Sequence, residues 1–168
     1  PERFLKVYHN GLIETRPIKG TRPRSIDPIK DAELAIDLVC SIKDRAENIM
    51  IVDLLRNDLG KVCQEGSIHV SQLLGLESYQ RVHHLTSVVK GLLRSKKCWI
   101  DALEACWPGG SISGAPKIRA CKRLYELEET SRGPYCGSLL KINWDGTIDS
   151  NIIIRSFMLN GSTLRVHA

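Results

Sequence analysis

Three turn dipeptides, Asn10-Gly11, Asp145-Gly146 and Asn160-Gly161, constrain this chain more than any other feature. Each lies beside runs rich in β-branched and aromatic residues, and each tolerates the positive φ angles of a tight hairpin turn. Hairpins join antiparallel neighbours. FLKVYHNGLIETRPI is therefore one hairpin, and YCGSLLKINW, TIDSNIIIRSFML and STLRVHA are three strands that follow one another. SIHVSQL and ESYQRVHHLTSVVKGLL, between residues 66 and 93, alternate in the same way. The stretch DAELAIDLVCSIKDRAENIMIVDLLRNDLG is different: Ala46, Ile49, Met50, Asp53 and Leu54 recur at helical spacing, which puts Asp53 near an apolar stripe. Asp27-Pro28 opens this helical stretch and Gly60 suits its end, with GTRPRSIDP as the loop before it. IDALEACW is a short helix, PGGSISGAPK a glycine-rich loop, and APKIRACKRLYELEE a helix with Pro116 in its first turn. Hairpin-joined strands with helices in blocks predict an α+β domain of antiparallel β-sheet layers with packed helices.

The totals narrow the function classes. A length of 168 residues suits one domain or a piece of one, and 42% hydrophobic with 26% charged residues is ordinary for a soluble globular chain. No apolar run approaches the roughly 18 residues that cross a bilayer, and PERFLKVYHN lacks the apolar stretch of a secretory signal. A cytoplasmic protein without a membrane partner is expected, and the absence of a leading Met suggests that the natural start lies upstream. Cys40, Cys63, Cys98, Cys106, Cys121 and Cys136 include no C-x-x-C pair, so reduced thiols are expected rather than disulfides or structural zinc. The net charge of +5 is spread out, its longest basic cluster is Arg94-Ser95-Lys96-Lys97, and aromatic residues are only 5%. That pattern suits a small polyanionic substrate better than nucleic acid.

Several stretches carry chemistry. In TRPIKGTRPR, Lys19 stands among arginines, and a lysine near other cations holds its proton less tightly, which is one way to make a nucleophile. The alternative is a surface lysine after a strand. Gly109 and Gly114 have P-loop separation, but Ala115 and Pro116 stand where that motif needs Lys and Ser or Thr, which excludes a nucleotide P-loop. A glycine loop feeding a helix still exposes N–H groups that hold a carboxylate, or it is a plain tight turn. Asp44 and Glu47, three apart on a helix, offer oxygen ligands to a divalent cation, or form a solvated face balanced by Lys43 and Arg45. Asp53, Arg56, Asn57 and Asp58 read as a buried structural network rather than a site. His83 and His84 are adjacent on a strand and must face opposite ways, so only one can face a pocket. Tyr135 and Arg155, on strands expected to be near neighbours, would together grip a carboxylate.

Taken in order, PERF, TRPIKGTRPR, KDRAENIMIVDLLRNDLG, VHHLTS, PGGSISGAPKIRA, GPYCGS and NIIIRSF resemble the chorismate-utilising enzymes. The resemblance covers essentially all of 1–168, as a partial chorismate-binding catalytic domain whose N-terminal portion and C-terminal end lie outside the sequence. Lysine in PIKGT, where anthranilate-forming members carry alanine in PIAGT, points to the para-aminobenzoate branch of folate biosynthesis. The resemblance implies a reaction of chorismate with ammonia to give 4-amino-4-deoxychorismate. Lys19 would bond to chorismate C2 as the C4 hydroxyl leaves, with Arg16 and Arg22 lowering its pKa; ammonia would then displace it. Glu2 would be the general acid and His84 the histidine near the leaving group. Tyr135 and Arg155 would hold the enolpyruvyl carboxylate, and Ser113 with Gly114 the ring carboxylate. Glu47, and Asp44 beside it, would bind Mg2+. Family members continue with an AGGGI-type loop and an E-x-x-E pair that complete the magnesium site, whereas this sequence ends at RVHA. Ammonia would come from a glutamine amidotransferase subunit or domain. Three alternatives stay open: anthranilate formation, against which Lys19 speaks; a truncated, non-catalytic chorismate-binding module; and a basic nucleic-acid binder.

Overall fold

Asn10-Gly11 does make the first turn. Gly11 takes φ +78°, and the Tyr8 N–H donates to Leu12 O at 2.8 Å, joining β1 (Arg3–Val7) to β2 (Leu12–Arg16). The computed structural model describes residues 2–167. After Pro17 the chain resumes as β3 (Ile18–Pro23). Here the structure departs from the expected loop at GTRPRSIDP. Residues 20–23 have no apolar alternation of their own, but β5 (Val82–Leu92) supplies a ladder for them. It pairs first with β2, Leu12↔Leu92 to Thr15↔Val89, and then with β3, Ile18↔Thr86 and Thr21↔His84. The other edge of β5 pairs with β4 (His69–Ser78).

The opposite side of the sheet comes from the far end of the chain. β6 (Ser138–Ile142) and β7 (Ile148–Ile152) form a hairpin whose Gly146 has φ +80°, and β7 pairs antiparallel with β1, Val7↔Ile148 and Arg3↔Asn151. The strand order is β3-β5-β2-β1-β7-β6, with β4 against β5. TIDSNIIIRSFML is not one strand. Ile153 leaves the β7 line to bond Cys136 N and Gly137 O, and the chain turns at Arg155, φ +50°. It then forms β8 (Ser156–Asn160), which pairs with β9 (Thr163–His167) as a separate two-stranded sheet. The antiparallel α+β expectation is borne out.

The long helical stretch is two helices, α1 (Pro28–Cys40) and α2 (Ile42–Gly60). Asp27 caps the first by accepting from Ile29 N at 2.9 Å. The break falls at Ser41, extended in ψ, whose hydroxyl accepts from Asp44 N at 3.3 Å. A serine that caps one helix while ending another carries no glycine or proline to announce it. Ile51, Val52, Leu55 and Leu59 bury one face of α2. The core joins Val52 and Leu59 to Phe4, Leu5, Val7 and Ile13 of the first hairpin, to Val89, Leu93, Ile148 and Ile152, and to Ala102 and Cys106 of α3 (Trp99–Cys106). Asn48 is fully buried in this layer: its amide donates to Leu85 O at 3.1 Å and accepts from Ser87 Oγ at 2.5 Å. Satisfied on both sides, it fixes the register of α2 against β5.

The acidic end of α2 is not the expected buried network. Asp53 and Arg56 form an exposed pair at 3.0 Å and Asn57 is exposed, whereas Asp58 is 1% exposed. Five residues advance a helix by about 140° past a full turn, so Asp53 and Asp58 cannot share a face. The glycine stretch holds a one-turn helix, α4 (Gly110–Ser113), before α5 (Lys117–Leu127). All six cysteines are free, with Cys63 and Cys106 buried. Among the described residues no helix is long and apolar enough to cross a membrane.

Candidate active site

A cavity of about 700 Å³ opens where β3, the end of β7 and the glycine turn meet. Glu2, Lys19, His84, Ser111, Tyr135 and Arg155 line it. Five of these were expected from the sequence, and the sheet topology is what gathers them. The Thr21↔His84 register brings Lys19 and His84 to the same end of β3 and β5, while the Ile152 N–H donates to Glu2 O at 3.0 Å and ties Glu2 to β7.

Gly20, next to Lys19, has φ +85°, which side chains tolerate poorly. A Cβ there would also lie 2.8 Å from Leu38 Cδ1 and 2.9 Å from Asp44 Cβ. Glycine is thus what lets β3 press on both helices. The arginines flanking Lys19 do not crowd it with unmatched charge. Arg16 pairs with Glu77 at 2.5 Å, and Arg22 pairs with Asp37 at 2.6 Å and Asp44 at 3.3 Å. Each of these arginines has its charge matched by a carboxylate. Within the cavity, Lys19 acts on Glu2 by its charge.

Glu2 is buried, and burial pushes its carboxyl pKa above the ordinary value. Contacts with Ser111, Lys19 and the Ile18 backbone pull it down, but desolvation wins. A carboxyl that keeps its proton to higher pH is suited to donate it. His84 Nδ1 lies 2.9 Å from Thr21 Oγ1, and the ring meets Tyr79 edge-on at 5.7 Å. Burial, then the charge of Arg155, lowers its pKa and favours neutral imidazole. His83 points the other way, as strand alternation requires. It is 3% exposed, between Ser78 Oγ at 2.8 Å and Asp31 Oδ1 at 3.1 Å, and packs toward α1.

Tyr135 and Arg155 meet the cavity from turns rather than from strands. Tyr135 lies in the turn before β6, its ring stacked on His167 at 4.5 Å, and Arg155 sits in the gap between β7 and β8. The Cys136 and Gly137 bonds to Ile153 hold those two turns together. Ser113 and Gly114 do not line the cavity. Ser113 is buried, and its hydroxyl donates to Gly109 O at 3.3 Å or Gly114 O at 3.2 Å. Ser111 and Ile112 face the cavity in their place. Residues 111 and 113 lie about 200° apart on a helical turn, so α4 sends their side chains to opposite sides.

Asp44 and Glu47 are half-buried on α2 and do not line the cavity. Among the described residues no three His, Cys, Asp or Glu side chains gather as a metal cage. Magnesium takes six near-octahedral ligands and is commonly held by one or two carboxylates with water. Here one carboxylate of the two is already committed to Arg22, so these residues alone do not fit the ion.

The chorismate binding enzyme family matches residues 1–168. The chain is 48% identical over 160 residues to the chloroplastic aminodeoxychorismate synthase of Arabidopsis thaliana, covering 95% of this chain and 17% of that protein. It is 45% identical over 168 residues to anthranilate synthase component 1 of Saccharolobus solfataricus, covering 100% and 40%. The crystal structure of anthranilate synthase component I from Streptococcus pneumoniae matches with a TM-score of 0.82 at 41% identity, covering 94% of this chain and 34% of that one. The chain thus spans less than half the length of each of these relatives. With the match running along its whole length and the cavity assembled from the residues that the motifs singled out, the chain belongs to the chorismate binding enzyme family.

Proposed function

We propose that this chain is the later part of the catalytic domain of an aminodeoxychorismate synthase component I, whose full protein converts chorismate and ammonia to 4-amino-4-deoxychorismate and water. The observation that carries this reading is Lys19 facing the same cavity as buried Glu2. Near-equal identity to aminodeoxychorismate and anthranilate synthases does not separate the two products, so the reading rests on the lysine.

In the proposed reaction the neutral Lys19 amine forms a bond to ring C2. The double bond shifts and the C4–O bond breaks, and Glu2 gives its proton so that water departs. Hydroxide is a poor leaving group, and general acids of this kind contribute about 10²–10⁴-fold. Ammonia then bonds to C4, the electrons shift back, and the C2–N bond breaks to return Lys19 as an amine. The new C4 ammonium gives a proton back to Glu2, and the cycle closes. Neutral His84 lies by the departing hydroxyl. Tyr135 and Arg155 bind the enolpyruvyl carboxylate, and the turn built on Ser113 and Gly114 presents Ser111 to the ring carboxylate. Glu47 and Asp44 lie outside the cavity lining, and no step of this reaction runs through Mg2+. Ammonia would be delivered by a glutamine amidotransferase. Six free thiols support a reducing, cytoplasmic setting.

The test is product analysis with the full-length protein, chorismate and ammonium. The expected product is 4-amino-4-deoxychorismate, identified by mass, and Lys19→Ala should lower its rate at least a hundredfold, about 2.7 kcal/mol in barrier. Fluorescent anthranilate as the wild-type product, or an unchanged rate in Lys19→Ala, overturns the proposal.

A further inference from the structure

Outside the cavity, the most organised cluster of charge is centred on Asp58. One of its oxygens takes Lys61 Nζ at 2.8 Å and the other takes Lys117 Nζ at 2.5 Å. Both lysines also donate to the last turn of α3, Lys61 to Ala105 O at 3.3 Å and Lys117 to Cys106 O at 2.9 Å. One carboxylate therefore gathers the end of α2, the end of α3 and the start of α5. Cys106 and Lys117 bracket the segment 107–116, which contains α4 and puts Ser111 in the cavity.

Within itself that segment has little to hold its shape. A one-turn helix of Gly-Ser-Ile-Ser is far too short to be stable alone. Its own backbone bonds are Ile112 N to Gly109 O at 3.0 Å, Ser113 N to Gly109 O at 3.1 Å and Gly114 N to Gly110 O at 2.9 Å, to which the Ser113 hydroxyl adds its bond to Gly109 O or Gly114 O. Its geometry must be imposed by neighbours and by its ends. We propose that Lys117 is a positioning residue for the cavity: by joining buried Asp58 to Cys106 O, it closes the ends of segment 107–116 on each other and so holds Ser111 in the cavity that Glu2 also lines. Lysine suits the task because one ammonium carries three donors on a long stem, enough to reach a carboxylate and a carbonyl together. Its effect on catalysis runs through the placing of Ser111 in the cavity and rests on the function proposed above; its effect on the turn does not.

The experiment compares Lys117→Met with the wild type in the full-length chain, by hydrogen exchange and by steady-state kinetics. Exchange at the Ile112, Ser113 and Gly114 amides should quicken about tenfold or more, while Val88 and Val89 of β5 stay unchanged. With chorismate, kcat should fall about tenfold with KM changed less than about twofold. In a Ser111→Ala background the same substitution should cost less than about threefold, because the two changes break one linkage. Unchanged exchange at the three amides, or losses that simply multiply across the two sites, overturns the proposal. Lys117→Gln, which keeps a donor for Cys106 O, replaces the Met variant if that one does not fold, with the same amides read. A wild type inert toward chorismate refutes the proposed function alone, and the exchange result still decides whether Lys117 holds the turn.

Discussion

Replacing Gly20 by alanine tests whether the lysine strand is seated by close backbone approach. Two costs are built into the site. The left-handed conformation at φ +85° costs a residue with a Cβ about 1–2 kcal/mol. The added methyl would lie 2.8 Å from Leu38 Cδ1 and 2.9 Å from Asp44 Cβ and Cγ. Leu38 is fully buried, and Asp44 is tied to Arg22, so neither is free to swing away. Overpacking of this kind costs about 1–3 kcal/mol. Together Gly20→Ala should lose about 2–5 kcal/mol, or about 4–20 °C in Tm at the 2–4 °C per kcal/mol usual for a chain of this size. Gly146→Ala supplies the control, because Gly146 has φ +80° but nothing within 4 Å of a Cβ. It carries the conformational cost alone and should lose about 2–8 °C. The assay is thermal unfolding of wild type and both variants, followed by circular dichroism. If Gly20→Ala falls by no more than Gly146→Ala, the packing argument is wrong and β3 is not held against the helices as described.

Two further outcomes follow from buried ionisable groups. Because burial raises the Glu2 pKa above its unfolded value of 4.5, the fold favours the protonated form. That stability is fully present below pH 4.5 and is lost as pH rises through the folded value, so Glu2→Gln should gain stability relative to wild type at pH 7, with the gap closing toward pH 4. Urea unfolding of both proteins at the two pH values measures it, and a gap that widens on acidification contradicts the assignment. Burial also pushes the Cys63 and Cys106 thiols up to about 11 and about 12. At pH 8 a thiol reagent should modify exposed Cys40 and Cys98 at once and reach Cys63 and Cys106 only on unfolding, as peptide mass mapping would establish.

Turn chemistry and motif order made much of this molecule legible beforehand. The three Gly-containing turns and the cap at Asp27 are local, so four or five residues suffice to specify them. Glu2, Lys19 and His84, which line the cavity, each sit in a short motif that stands out in the sequence. What escaped has a common cause. β3 is a strand because β5 pairs with it; Ser41 divides two helices without a breaker; Ile153 leaves its strand to serve a turn made earlier in the chain. Each is decided by a partner distant in sequence. The same holds for Ser111, whose direction depends on a single helical turn, and for Arg16 and Arg22, whose carboxylate partners lie as far off as Glu77.

The pairing of β1 with β7 sets an order of events. The first hairpin leaves the ribosome about 130 residues before the strand that flanks it, which at 5–20 residues per second is on the order of ten seconds. Until then β1 lacks its β7 partner, and the Ile152 N–H that bonds Glu2 O is not yet in place. A nascent chain therefore carries Lys19 on β3 long before the end of β7 arrives to build the cavity wall beside it.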